Sequence, residues 1–519
     1  MDTTPPWVIQ GDPPGPALAE LARHAFFEHV LPALRTELPE LVHRIIVTVG
    51  SSVAYGLADR HSDLDCFIIF IFGRDYALYA ARVDRLIRSL PFPRWYSTVC
   101  DKGVRFELES LARSDISRIY RHPGNATSWL RQTDWLMHWF GRGLVIYDPT
   151  NVMRRFNEAC GAYPADVAGV KCRRAMIKAR ILYSRLSRDR VNKHGSLVWL
   201  GRVWRVLNAA LDMSYWSARE FSPHPKWKYT LAQSRPVGIL QRSIVSDVAN
   251  VLDGIEMEDR PKVVAYVNRI VERMASEPYP VPPATRIRPA DLVDLRCPTP
   301  TWLLTEGRVD PQRLNEVSTA VSRGQEVFLA EDLGSPFWNH QRPSYDSALR
   351  VSDIARHLAH RHGARIPVPP ETSSIVRRRW IYLHFIIWRK IRVIGKAVQR
   401  GQRLNVLGYT FQVVAHLLEA ASRLRGGFLA PDADWPKTCA GDPTIGDVLG
   451  PDLDAFLLRP TLTSELLASP GALVDALWRM HRNVQRELVR CSLLSERWAR
   501  DPLSSQFIAQ YWKYENLFY

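Results

Sequence analysis

Asp63 and Asp65 open a long apolar run, Asp63-Leu64-Asp65-Cys66-Phe67-Ile68-Ile69-Phe70, and a Gly50-Ser51 pair closes the apolar run before it. Side chains two apart on a strand point the same way, so the two carboxylates would share one face. Two such charges repel unless a cation neutralises them. Mg²⁺, held by a few carboxylates plus substrate phosphates, is the expected ion, as two ions, with Mn²⁺ an alternative. Gly50 has no Cβ to keep a phosphate away from the backbone. Ser51 and the amides after it would begin a helix, where unpaired N–H groups attract an anion. Ser52 adds a neighbouring donor. Taken singly these signals are weak, since Asp-x-Asp before an apolar run is most often a turn leading into a strand. Their conjunction is specific.

The flanking sequence supplies the elements that must position these groups. His43–Val49 is a β-branched run of strand length, and Asp63–Phe72 is apolar on both faces beyond its start, as a central strand should be. Ala17–Glu37 reads as a helix after a Pro-rich lead. Asp75–Leu90 has Leu78, Tyr79, Val83, Leu86 and Ile87 at helical spacing. Trp95–Cys100 and Val104–Glu109 flank Asp101-Lys102-Gly103, which reads as a hairpin turn. The second of these strands carries Glu107 and Glu109 on one face.

Gly50-Ser51, an eleven-residue spacer and Asp63-x-Asp65 resemble the signature of the DNA polymerase β-like nucleotidyltransferase superfamily. The stretch GSSVAYGLADRHSDLD is closest to the antibiotic-modifying (aminoglycoside and lincosamide) and minimal nucleotidyltransferases. The resemblance covers about residues 40–150, with a helical bundle expected after it in kind. It implies two metal ions bound by three acids. Asp63 and Asp65 match residue for residue, and Glu107 is the favoured third acid, as metal ligand or general base, with Glu109 as the alternative. It also implies that Gly50 and Ser51 hold a nucleoside triphosphate, taken as ATP. The implied reaction is transfer of AMP to a hydroxyl of a small-molecule acceptor, with release of pyrophosphate.

The expected fold is an α+β nucleotidyltransferase domain, a small mixed sheet with helices, followed by mostly α-helical bundle domains. The expected bounds are 1–39 for the lead and first helix, 40–150 for the catalytic domain and 151–277 for a basic helical bundle. A Pro-rich linker at 278–289 and a mostly helical region at 290–519 complete the chain. Within 290–519, RRRWIYLHFIIWRKI…APDADWPK echoes KCRRAMIKARILYSRL…SPHPKWK of 171–228, so the helical module reads as duplicated without a second Gly-Ser/Asp-x-Asp segment.

The charge is unevenly spread. The chain of 519 residues carries 69 Lys+Arg against 53 Asp+Glu, a net of +16, yet residues 1–150 are near neutral and 151–289 are strongly basic. Eleven basic residues and one acid lie between 171 and 205. That stretch would either face the triphosphate or track a nucleic-acid backbone such as tRNA. Lys226, in the loop Ser222–Lys228, is a further candidate phosphate contact. A tRNA, RNA or protein acceptor is the runner-up reading, and a non-catalytic nucleotide-sensing scaffold is the alternative of another class. Seven scattered cysteines without CxxC spacing disfavour a disulfide framework or a zinc site. With no secretory signal or membrane-length apolar run visible, the expected location is the cytoplasm. His357, His360 and His362 read as solvated cations at a helix end.

Overall fold

The computed structural model describes residues 9–10, 15–59, 62, 64–96, 101–111, 134, 137–138, 141, 143–160, 163–188, 196–279, 292–295, 301–304, 327–329, 373–424, 443–453 and 470–500. Asp63, the three histidines at 357–362 and most of the Pro-rich 278–289 segment lie outside these. The chain divides into two compact units, residues 1–167 with 219–228, and residues 168–218 with 229–519. The division thus falls inside the expected 151–277 bundle rather than at its ends, and the segment Arg219–Lys228 returns to the first unit.

The first unit is built on a six-stranded mixed sheet. Its strands are β1 (Ile9–Gln10), β2 (Ile45–Val49), β3 (Leu64–Phe70), β4 (Arg94–Tyr96), β5 (Asp101–Ser110) and β6 (Leu144–Tyr147), in the order β1-β4-β5-β3-β2-β6. β2 is antiparallel to β3 and to β6, whereas β3 and β5 run parallel. Every residue of β2 is buried, which explains why its sequence is a continuous β-branched run and not an alternation. β3 is central, and its apolar stretch is buried through Ile68, Ile69 and Phe70. A helical stretch, α1 (Gly15–His24) and α2 (Leu31–Glu37) joined by a π-helical turn, packs Leu18, Phe26 and Leu34 into the core.

Between β3 and β5 runs α4 (Gly73–Ser89), after the short α3 (Ser51–Ala54). It buries Tyr76, Val83 and Ile87, while Leu78 is 68% exposed. The inward face also takes in Asp75, whose carboxylate lies 3.5 Å from the Arg44 guanidinium, and leaves Leu78 outside. The hairpin also differs. Arg94, Trp95 and Tyr96 pair with Gly103, Lys102 and Asp101, so Asp101-Lys102-Gly103 is strand, and the reversal lies before it. α5 (Val152–Cys160) follows β6 and is started by Asp148, whose carboxylate accepts from the amides of Val152 and Met153 at 2.9 and 2.8 Å.

The second unit is mostly helical. It contains most of α6 (Ala165–Arg188), α7 (Ser196–Ser217), the end of α8 (Pro225–Ser234), α9 (Ile239–Glu256) and α10 (Arg260–Ser276). After these come α11 (Ser373–Gln399), α12 (Arg403–Leu424), α13 (Pro443–Leu449), α14 (Pro470–Arg490) and α15 (Glu496–Arg500). Trp380, Ile387, Ile391 and Ile394 of α11 are core residues, joined by α12, α13 and α14 and by Leu197 and Val198 of α7. A three-stranded sheet not anticipated in the sequence, β7 (Leu292–Leu295), β8 (Thr301–Leu304) and β9 (Val327–Leu329), precedes α11. Among the described residues no helix is long and apolar enough to cross a membrane.

The basic stretch 171–205 is not one helix. α6 ends at Arg188 and α7 starts at Ser196. Two of its eleven basic residues, Arg202 and Arg205, are 3% and 1% exposed, and the Arg205 guanidinium lies 5.3 Å from the centre of the Phe411 ring. Lys171 sits over Trp216. Part of the charge that suggested a polyanion is therefore spent on aromatic faces in the interior.

Candidate active site

The Gly50-Ser51 turn is tied directly to the start of β3. Gly50 ends β2, and its amide donates to the carbonyl of Asp65 at 3.0 Å. α3 begins at the next residue, with Ser51 at φ 57° and Gly50 extended. A positive φ is rare for serine and marks a sharp change of direction. The rest of the spacer is compact: Leu57 N–H donates to the carbonyl of Ser52 at 2.8 Å, and Gly56 takes φ 68°. Asp59 and Ser62 then form a local turn. The Asp59 amide donates to the Ser62 hydroxyl oxygen at 2.9 Å, and that hydroxyl donates to the Asp59 carboxylate at 3.1 Å. Ser62 is buried, so this turn fixes where the chain enters β3.

The pairing of β3 with β5 decides which acids share a face. Asp65 lies beside Arg105, Phe67 beside Glu107 and Ile69 beside Glu109. Residues alternate between faces with period two, so Asp65, Glu107 and Glu109 are on the same side of the sheet, and all three are half-buried. About 3.3 Å per residue along a strand and about 4.8 Å between strands put Glu107 roughly 8 Å from Asp65 and Glu109 roughly 14 Å, between Cα positions. Of the two glutamates, only Glu107 is within reach of an ion shared with Asp65. Cys66 points to the opposite face and is fully buried; burial, and then the charge of Asp65, hold its thiol well above the usual range.

The segment Arg219–Lys228 completes the site from far along the chain. Arg219 donates through Nε to the carbonyl of Tyr163 at 3.0 Å, and Phe221 packs edge-on against the Tyr163 ring. The Tyr163 hydroxyl in turn donates to Asp134 at 3.1 Å. Beyond this anchor, His224 caps the start of α8, its carbonyl accepting from the amides of Trp227 and Lys228 at 2.8 and 3.0 Å. Trp227, 2% exposed, donates through Nε1 to the Ser51 hydroxyl oxygen at 3.4 Å. Lys226 lies over the Trp227 ring, its Nζ 4.8 Å from the centroid. The fold thus brings Lys226 into the neighbourhood of Ser51, through Trp227. Ser52 is 3% exposed and faces inward, where it supports the turn more than it meets a ligand.

Trp227 and Tyr163 were not singled out as site residues. In the sequence Trp227 stands only within SPHPKWK, which APDADWPK echoes, and nothing local indicates that it reaches Ser51, 176 positions away. The Tyr55–His138 contact, 3.1 Å between the hydroxyl and Nδ1, was equally invisible.

Among the described residues no group of three His, Cys, Asp or Glu side chains is placed to hold a metal ion. Asp65 and Glu107 are oxygen donors on one half-open face, and this is the donor chemistry that Mg²⁺ takes. Asp63, which the sequence pairs with Asp65, is outside the described residues. No family model matches the sequence, and no curated protein shows significant similarity to it.

Proposed function

We propose that the protein is a nucleotidyltransferase that moves AMP from ATP to a hydroxyl of a small-molecule acceptor and releases pyrophosphate. The observation that carries this reading is the joining of the Gly50-Ser51 turn to Asp65 through the Gly50 N–H bond, with Glu107 on the same face of the adjacent parallel strand. The Gly50-Ser51 turn and two carboxylates are thereby held on neighbouring positions of one sheet, which suits chemistry that depends on positioning.

Asp65 and Glu107, with Asp63, would hold Mg²⁺. When bound, the ion supplies charge neutralisation on the triphosphate and acidifies the attacking hydroxyl. Ser51 accepts from Trp227, so its own O–H remains available to donate to a phosphate oxygen. The Gly50 and Ser51 backbone and Lys226 would orient the β- and γ-phosphates. Glu107 would take the proton of the acceptor hydroxyl as its oxygen attacks the α-phosphorus, and the bond to the pyrophosphate oxygen breaks. A small-molecule acceptor is favoured over RNA because Arg202 and Arg205, which inflated the apparent basic surface, are buried.

The test is to incubate the protein with each α-labelled NTP, Mg²⁺ or Mn²⁺ and panels of amino sugar, lincosamide, RNA and protein acceptors. Asp63→Asn and Asp65→Asn serve as controls. Acceptor-dependent pyrophosphate release confined to the wild type supports the reading. Release no greater than in the two variants, across all acceptors, ends it.

A further inference from the structure

Helices α7 and α12 have the same length, 22 residues, and begin and end 207 positions apart. At that offset Leu197, Gly201, Trp204, Val206 and Leu211 fall on Leu404, Gly408, Phe411, Val413 and Leu418, and Asp212 falls on Glu419. The two helices pack on each other in a way that respects this equivalence. A methyl at Gly201 would overlap the Phe411 ring, and a methyl at Gly408 would overlap the Trp204 ring. Each helix therefore lodges its aromatic in the glycine notch of the other. When position i meets the counterpart of j, and j meets the counterpart of i, the interface is that of a two-fold pair.

The neighbours repeat as well. Ala175, Ala179 and Leu186 on α6 fall on Leu383, Ile387 and Ile394 on α11, each 208 positions on and each buried. Val263, Val267 and Ile270 on α10 fall on Leu473, Leu477 and Met480 on α14, 210 positions on and again buried. α7 packs against α9 and α10 as α12 packs against α13 and α14. The small sheet follows the same plan. β7 is antiparallel to β8 and β8 is parallel to β9, as β2 is antiparallel to β3 and β3 parallel to β5. Yet β8, Thr301-Trp302-Leu303-Leu304, and β9, Val327-Phe328-Leu329, carry no acid, where β3 carries Asp65 and β5 carries Glu107.

We propose that residues 290–519 are a second copy of the 40–289 module, with no acid on the strands that match β3 and β5, and that the α7 face shaped for a twin helix is met by α12 of the same chain. The protein is then a pair of modules joined in one polypeptide, one equipped for chemistry and one serving as its permanent partner. Arg403, at the first position of α12, adds a polar link, bonding Asp253 and Glu256 of α9 at 3.0 and 2.8 Å. Because its twin surface is already covered, the full chain works as a monomer. The single-site part of this proposal rests on the nucleotidyltransferase reading. The pairing does not.

The test has three arms on the full-length protein. Light scattering should give the single-chain mass of 59.4 kDa, and a stable dimer would overturn the claim that α12 satisfies α7. In double-mutant cycles by urea denaturation, Gly201→Ala should lower the midpoint and be relieved by Phe411→Leu, not by Trp204→Leu. Gly408→Ala should be relieved by Trp204→Leu, not by Phe411→Leu. Rescue without this crossed pattern, or no coupling, contradicts the two-fold pairing. Equilibrium dialysis with Mg²⁺ and a non-hydrolysable ATP analogue should reach one site per chain. Two sites would show that the second copy is not silent. No binding would count against the nucleotidyltransferase reading, while the mass and the crossed rescue would still decide the pairing.

Discussion

The sheet containing β3 and the sheet containing β8 share one strand pattern and differ in what their strands carry. In the first, the strand after the antiparallel turn carries Asp65 near its start and its parallel neighbour bears Glu107. In the second, the corresponding strands are wholly apolar apart from Thr301. The stretch between the antiparallel strands is also shorter, five residues (296–300) against fourteen (50–63). The helical parts diverge far less. Packing constrains a helix pair at every buried position, whereas a catalytic loop without a substrate is constrained by nothing.

The largest expected effect breaks this comparison at the carboxylates. Asp65→Asn should lower transfer by about 10²–10³-fold, while Asp294→Asn, in the only acid of the β7–β9 strands, should change it less than about twofold, both read as initial rates of pyrophosphate release. Next, Glu107→Gln should cost about 10²-fold, as loss of a general base does, and Glu109→Gln only a few-fold. A reversed order would place the third acid at Glu109 and contradict the register-based assignment.

A third expectation compares the two glycine notches. Gly201→Ala and Gly408→Ala should each destabilise by about 1–3 kcal/mol, the usual range for overpacking, and by similar amounts, measured by chemical denaturation. A fourth concerns a place where the copies differ. Val271 in α10 corresponds to His481 in α14, which stacks on His384 with 3.2 Å between ring nitrogens. Burial, and then the neighbouring His384, pull the His481 pKa down to about 3. The unfolded chain therefore binds a proton below about pH 6.5 that the folded chain refuses. Stability should be full above that pH and fall by up to about 1.4 kcal/mol per pH unit as pH drops toward 3. His481→Val should flatten this acid limb in pH-dependent thermal melts. The smallest effect is expected for Trp227→Phe, which removes the N–H to Ser51 and should raise KM for ATP a few-fold with kcat little changed.

Much of the first sheet was legible because its chemistry and its packing coincide in short stretches. Ile45–Val49 is buried throughout and Leu64–Phe70 is buried on one face and, from Ile68 on, on both, so their apolar composition marks them as strands. The Asp101-Lys102-Gly103 tripeptide misled, since turn-type residues can also sit in a strand pairing inside the sheet, opposite Tyr96, Trp95 and Arg94. Leu78 misled for another reason: the buried face of α4 is completed by Asp75 and Tyr76 rather than by Leu78. Trp227 could not be assigned from sequence at all, because its partner Ser51 is reached only through tertiary folding. The charge surplus at 171–205 overstated the exposed surface, since burying Arg205 over Phe411 depends on a helix two hundred residues later. The proposed duplication is half visible in the basic amphipathic helices. It became specific only when the crossed contacts of Gly201, Trp204, Gly408 and Phe411 were in view.

The central claim is attack on the α-phosphorus, and the position of a radioactive label reports it directly. With ATP labelled at the α-phosphate, the wild-type protein should move the label onto the acceptor, and Asp65→Asn should not. With ATP labelled at the γ-phosphate, the label should leave as pyrophosphate and never reach the acceptor. Label on the acceptor from the γ-position, or from neither position with any acceptor class, would contradict the account.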